Sequence, residues 1–296
     1  RAVSEVRTMT TATELLQRLG GRPVGVVGLG LIGGSLGLDL RQLGVAVHGW
    51  AHRPATAERA LARGLVDQAS VHPQVLQDCP LVLLALPLDQ LVSPAPQLLQ
   101  GLPPEALVMD MGSVKRPVLL ALQGRLPRFV ACHPMAGTAN AGVEAGVAGL
   151  FAGRPWVLTP TGQEDPEDLA LARSLGEALE AVVLECDAAS HDRAVALISH
   201  MPVLVSAALL STATAAESSA LAQALASSGF ADTTRIGGGN PQLGTLMARC
   251  NREGVLRALE DYQRQLEQLR CLVSSDNWEG LEQHLRSAQA ARPGFL

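Results

Sequence analysis

The stretch Val24-Gly25-Val26-Val27-Gly28-Leu29-Gly30-Leu31-Ile32-Gly33 decides how the chain is read. Val24–Val27 is a short apolar run of strand type. A G-x-G-x-x-G turn follows, and Leu31–Leu43 continues with helical character. Strand, glycine turn and helix in that order give the fingerprint its meaning. Gly28 permits the tight turn, Gly30 lets backbone approach a pyrophosphate, and Gly33 lets helix and strand pack closely. The helix start at Leu31 and Ile32 supplies amide donors to phosphates. The plainer alternative is a glycine-rich βα turn that binds no nucleotide.

Outward from this motif, apolar runs alternate with helix-length stretches up to about Cys186. The runs are Val24–Val27, Val45–Trp50, Leu81–Leu86, Leu107–Met111, Phe129–Ala131, Trp156–Leu158 and Val182–Leu184. Between them lie Leu31–Leu43, Ala55–Ala62, Leu91–Leu99, Val114–Leu122 and Glu167–Leu179. This pattern predicts βαβ units and a largely parallel sheet, buried on both faces. After Asp187 the strand signals stop. Ala189–Ala216, Ser218–Ser227, Pro241–Ala248, Val255–Leu272 and Trp278–Ala288 read as helices, with apolar residues at three- and four-residue steps. The expected division is a flank over 1–22, a Rossmann-type α/β domain over 23–186 and an all-α domain over 187–296. Residues 1–21 read as a short polar helix or a leftover flank. The helical region has more apolar residues than a small bundle needs, which predicts burial against a second copy of the chain.

Composition narrows the function classes. The 296 residues are 47% hydrophobic and 17% charged, which excludes a disordered chain. Aromatics make up only 3%, so Leu, Val and Ala must fill the core. A formal charge of −5 argues against a general nucleic-acid or anionic-membrane binder. The five cysteines are scattered without C-x-x-C spacing, which fits a reducing, cytoplasmic setting rather than a disulfide framework or a zinc site. The apolar run Ala194–Leu210 is interrupted by His200, Met201 and Pro202. Its unbroken part is shorter than the roughly 20 residues of a membrane span, so a buried helix is expected.

The second strand ends Val47-His48-Gly49-Trp50-Ala51-His52-Arg53. A site that prefers NAD would place an acid there for the ribose hydroxyls. Ala51 leaves space instead, and His52 and Arg53 bring positive charge suited to the 2′-phosphate of NADP. A solvated loop arginine is the alternative for Arg53. Two segments follow later strands, Asp110-Met111-Gly112-Ser113-Val114-Lys115 and His133-Pro134-Met135-Ala136-Gly137-Thr138. Strand C-termini line the ligand crevice of such sheets, so Ser113 and His133 are delivered beside the nicotinamide.

These segments, with Ser199-His200-Met201-Pro202 and Ser228 to Ile236, identify a resemblance to the prephenate/arogenate dehydrogenase family of tyrosine biosynthesis. It spans Pro23 to about Ser275 and looks most like the cyanobacterial-type arogenate enzymes, notably in Gly237-Gly238-Gly239-Asn240-Pro241. The resemblance implies an NADP-linked oxidative decarboxylation of arogenate to tyrosine, or of prephenate to 4-hydroxyphenylpyruvate, in a homodimer. His133 would accept the ring-hydroxyl proton. Ser113 would hydrogen-bond His133 and the cofactor or the hydroxyl. Arg235 would clamp a substrate carboxylate with Asp232 holding it, and Thr138 and His200 would contact substrate. The alternative for Arg235 is a helix-end ion pair, and His200, read alone, is a satisfied core histidine. His191 is as suited to capping as to binding. His48, His72 and His284 have no constellation and receive no role. Many prephenate-using relatives carry Glu where Ala139 stands, a departure that favours arogenate. With no regulatory or chorismate-mutase segment expected, tyrosine inhibition would act by competition in the active site. No metal is expected.

Two rivals remain from the residues. Other two-domain dehydrogenases, of β-hydroxyacid or imine-reductase type, share the architecture. A hydroxyacid enzyme would want a lysine on the first long helix of the second domain, and Ala189–Ala216 contains none. A redox-sensing NADP-binding regulator would need no acid/base residue such as His133.

Overall fold

The computed structural model describes residues 2–138 and 140–295, with side chains from residue 11 onward. The nucleotide-binding half is an eight-stranded sheet. Its elements in chain order are α1 (Ala2–Leu19), β1 (Val24–Val27), α2 (Leu31–Gln42), β2 (Val47–Trp50), α3 (Pro54–Ala62) and β3 (Gln68–Ser70). After a 3₁₀ turn at Pro73–Leu76 come β4 (Leu81–Leu84), α4 (Leu88–Val92), α5 (Pro96–Gly101), β5 (Leu107–Asp110), α6 (Arg116–Leu122), β6 (Phe129–Pro134), β7 (Pro155–Leu158), α7 (Pro166–Ala178) and β8 (Val182–Glu185). The strands lie in the order β3-β2-β1-β4-β5-β6-β7-β8, parallel throughout except where β6 meets β7. The chain leaves β1 towards β2 on one side and returns to β4 on the other. That reversal opens the crevice at the strand C-termini.

The strands β1, β4, β5 and β6 are buried at every residue, so their continuous apolar runs have helices on both faces. One face is covered by α1, α2, α3 and α7 through residues such as Leu15, Leu36, Leu40 and Leu175. The other is covered by α4 and α6 through Leu88, Leu91, Val118 and Leu122. Of the two readings of the N-terminal residues, the helix is the one observed, over Ala2–Leu19. The helix docks on α7, with Leu15 and Leu19 fully buried and Arg18 bonded to Glu14 and Glu167. The expected helix Leu91–Leu99 is two short ones. Pro94 and Pro96 remove backbone donors and push their preceding residues out of the helical region. Strand β3 has little apolar signal and was not expected.

The remaining chain is helical: α8 (Ala188–Val195), a π-helical turn at Ala196–His200, α9 (Met201–Ala215), α10 (Ser219–Leu225), α11 (Ser228–Thr234), α12 (Pro241–Cys250), α13 (Arg252–Ser274) and α14 (Trp278–Ala291). The expected single helix Ala189–Ala216 is thus interrupted. Pro202 has no N–H to donate and its ring crowds the carbonyl four residues back, so the ladder loosens into a wider turn just before it. The expected burial of this run is also not found within one chain. By length and composition Ala188–Ala215 could cross a membrane, yet only 22% of its most apolar window is buried. On α9, Ser206 alone is buried. Leu197, Ile198, Leu221, Leu225, Leu266 and Trp278 are exposed along this half of the molecule.

Candidate active site

The glycine turn has the geometry its sequence demands. Gly28 has φ +90°, and a Cβ there would lie 2.4 Å from the Ala85 carbonyl oxygen. A Cβ at Gly33 would lie 1.9 Å from the carbonyl of Gly28, so helix and strand could not close with a larger residue. Gly30 differs, because a Cβ there would meet nothing within 4 Å. The open space lies over the start of α2, whose N-cap Gly30 provides no side-chain cap. Uncapped first-turn amides under an open glycine fit a pyrophosphate. Ala51 is buried at the end of β2, while His52 and Arg53 are exposed beside it, and Arg53 forms no ion pair among the described residues.

His133 lies within a strand rather than after one. Antiparallel pairing with β7, His133 opposite Val157, extends β6 through Pro134. Its Nδ1 lies 2.8 Å from His191 Nε2, and His191 Nδ1 lies 2.8 Å from Asp192 Oδ1. The rings of the two histidines meet edge to face. Asp192 also accepts from the backbone N–H of Lys115 at 2.7 Å and of Arg116 at 2.9 Å, which holds it as an acceptor. This chain of bonds sets the tautomers. The carboxylate accepts from His191 Nδ1–H, leaving His191 Nε2 with a lone pair. That lone pair accepts from His133 Nδ1–H, leaving the lone pair of His133 on Nε2. The latter nitrogen has no protein partner among the described residues and reaches the solvent-accessible surface. Burial, Lys115, His191 and His200 together hold the His133 pKa well below 6.5. The ring is therefore neutral at pH 7 with its free lone pair outward, the state of a proton acceptor.

The Ser113–His133 bond expected from sequence is not formed. The Nδ1 position is taken by His191, which tertiary packing of α8 brings against β6. The loop holding Ser113 is fixed from below instead. Lys115 and Asp110 are both fully buried and ion-paired, and Lys115 Nζ also donates to the Cys132 carbonyl. Asp110 accepts from Gly112 N at 2.9 Å and Cys132 N at 3.3 Å. Desolvation pushes the Asp110 pKa up, and Lys115 with the two amides pulls it back. One buried pair thus ties the end of β5, the Ser113 loop and the residue before His133.

His200 sits at the end of the π-helical turn and is 2% exposed. Its Nδ1 lies 3.3 Å from Asn251 Nδ2, which also donates to the Asp192 carbonyl at 2.7 Å. Its Nε2 is buried with no partner among the described residues, and burial lowers its pKa to about 4. A buried imidazole nitrogen without a partner is uncommon, since buried polar atoms are usually hydrogen-bonded. Thr138 is exposed, and its Oγ1 accepts from Asn140 N at 3.2 Å. Asp232 and Arg235 are exposed and form no ion pair with each other, nor any bond to the histidines, among the described residues. Within one chain the structure gathers His133, His191, His200, Asp192, Lys115 and Asn251 but does not join Arg235 to them. Ala139 lies outside the described residues. Among the described residues no His, Cys, Asp and Glu group is placed to hold a metal ion.

Sequence reasoning missed Asp192, Lys115 and Asn251 and left His191 undecided. Ser190-His191-Asp192 at a helix start and the Lys within Asp110–Lys115 carried a readable signal, whereas Asn251 carried none.

Residues 36–185 match the family described as prephenate dehydrogenase, nucleotide-binding domain. Residues 187–287 match prephenate dehydrogenase, dimerization domain. The chain is similar to the crystal structure of Synechocystis arogenate dehydrogenase, with 41% identity, a TM-score of 0.79, and coverage of 93% of this chain and 100% of that one. It is also similar to prephenate dehydrogenase from A. aeolicus in complex with hydroxyphenyl propionate and NAD+, with 29% identity, a TM-score of 0.86, and coverage of 93% and 98%. The cyclohexadienyl dehydrogenase of Zymomonas mobilis is 29% identical over 276 residues, 91% of this chain and 94% of that protein.

Proposed function

The chain belongs to the prephenate dehydrogenase family, and from that premise we propose that it is an NADP-dependent arogenate dehydrogenase acting as a cytoplasmic homodimer. The observation that carries the reading is the bond chain from Asp192 through His191 to His133, which leaves a free lone pair on His133 Nε2. When bound, the nicotinamide cofactor accepts the hydride of the ring carbinol carbon. His133 Nε2 takes the hydroxyl proton as that hydride departs, and Asp192 holds the imidazolium pair through His191. The resulting ring ketone is an electron sink for the ring carboxylate, so CO2 leaves and the ring becomes aromatic. Ser113, fixed by the Lys115–Asp110 pair, orients the hydroxyl or the cofactor. His200 offers its unpartnered Nε2 to the substrate.

The similarity to the Synechocystis enzyme supports arogenate over prephenate, whose side chains differ in an amino versus a keto group. The exposed apolar residues of the helical half support the homodimer, in which a second chain covers them. The division at residues 186 and 187 follows the end of β8 and the start of α8. Steady-state assays with arogenate and prephenate, each with NADP and NAD, test the reading. Preferred turnover of prephenate would replace it with prephenate dehydrogenase.

Two variants refine it. Arg53→Ala should raise the KM for NADP by the equivalent of one charge-assisted contact, about 1.5–3 kcal/mol, and leave NAD use nearly unchanged. Equal losses with both cofactors would remove Arg53 from the 2′-phosphate. Arg235→Gln should chiefly raise the substrate KM, by about 2–3 kcal/mol equivalent, with a smaller effect on kcat. An unchanged KM would show that the substrate carboxylate is held elsewhere.

A further inference from the structure

A groove of about 460 Å³ opens where α6, α8 and the α12–α13 junction meet. Arg116, Arg193, Arg249, Arg252 and Arg257 line it, with Glu253 as the acid at its rim. Asp192 lies at its floor, with its carboxylate engaged by His191 and the amides of Lys115 and Arg116. None of the glycines of the fingerprint and none of His133, His191 or His200 lines it, so it is separate from the crevice described above.

The charge balance of this groove is unusual for the chain that carries it. The protein has more acids than bases, with a formal charge of −5, yet five of its basic residues converge here from four helices. Their neutralisation within the chain is slight. Arg116 approaches Glu253 at 3.7 Å, and Arg193 donates to the Ser190 hydroxyl at 2.8 Å. Arg249, Arg252 and Arg257 have no ion pair among the described residues. The start of α13 adds to the positive field. The side chain of its N-cap, Asn251, is turned inward to the Asp192 carbonyl and His200, so it caps no first-turn amide. Gathering like charges in a concavity costs self-repulsion, and a counter-anion relieves it.

We propose that this groove is a binding site for a small polyanion, a phosphorylated or multiply carboxylated metabolite. Several guanidinium groups from different elements suit two or more anionic groups held at once, since each fork takes a carboxylate or phosphate bidentately. The groove's volume of about 460 Å³ is of the size that takes a metabolite. The site adjoins Asp192, the last member of the chain that orients His133, so its occupant borders the support of the base and not the base itself.

Calorimetric titration of the NADP-saturated protein with pyrophosphate, and separately with citrate, tests the site. Saturation with NADP keeps the probes out of the fingerprint turn. One site per chain should titrate with at least one probe. The double variant Arg252→Gln/Arg257→Gln should weaken that binding by about 10–100-fold. Arg53→Ala should leave it unchanged. Binding of pyrophosphate assigns the phosphate class and binding of citrate the carboxylate class. No saturable heat with either probe up to about 10 mM would overturn the proposal. So would binding that Arg53→Ala abolishes and the double variant leaves intact. The titration needs no turnover, so its outcome is independent of whether arogenate is the substrate.

Discussion

Replacing His133 with Asn is expected to reduce kcat by about 10²–10⁴ with little change in the substrate KM. Asn keeps a hydrogen-bonding group near the same place, so the bond to His191 can persist while no lone pair remains that can take a proton. The wild-type pH profile of kcat/KM should carry one acidic limb. The sign follows from which form works: neutral imidazole accepts the proton and imidazolium cannot. Because burial and the neighbouring cationic and imidazole groups lower the His133 pKa, the limb should fall below pH 6.5 and the rate should be flat through neutrality. In His133→Asn the limb should disappear along with most of the rate. Near-normal turnover would move the base elsewhere, with His200 the first alternative. A loss confined to KM would make His133 a binding residue.

Lys115→Met should lower the melting temperature by on the order of 10 °C. The variant leaves Asp110 in a fully buried position without its counter-charge. Removing one partner of such a pair typically costs about 3–5 kcal/mol, and in chains of this size each kcal/mol corresponds to about 2–4 °C. Turnover should fall as well, because the same ammonium holds the Cys132 carbonyl beside His133, and the Asp110 carboxylate it pairs with accepts from Gly112 N in the loop before Ser113. Adding Asp110→Asn should recover part of the stability, since no lone charge is then buried. Differential scanning calorimetry of the unsubstituted protein and the two variants measures this directly. An unchanged transition in Lys115→Met would mean that Asp110 is satisfied as a neutral acid and the pair is not an ion pair.

The fold was legible to a large extent because its signals are local. Continuous apolar runs mark β1, β4 and β5 to within a residue or two, and the glycine spacing at 28, 30 and 33 marks the turn that joins β1 to α2. Legibility fails where a neighbour decides. Strand β3, Gln68–Ser70, pairs with β2 although its own residues have little strand character. Strand β6 gains three residues, His133 among them, from antiparallel pairing with β7. The long apolar run after Asp187 reads as one helix, but Pro202 costs it a regular ladder and inserts the wider turn that carries His200. At the site, His133 and Ser113 stand out in the sequence because each follows an apolar run of strand type. The pairing between His133 and His191 does not, because 58 residues separate them and only the docking of α8 brings them together.

The sequence by itself determined the nucleotide-binding turn, the largely parallel sheet, the change to helices after Asp187 and the family to which the chain belongs. Those properties rest on steric demands that a residue carries wherever it stands: a glycine's missing Cβ, a proline's missing N–H, the period of an apolar face. Only the tertiary structure decided which nitrogen of His133 is left free, what holds the Ser113 loop, and that five arginines from four helices share one groove. Each of these depends on hydrogen-bond direction, burial or summed charge among residues distant in the chain. Such quantities exist only once the folded backbone has set the distances between those residues.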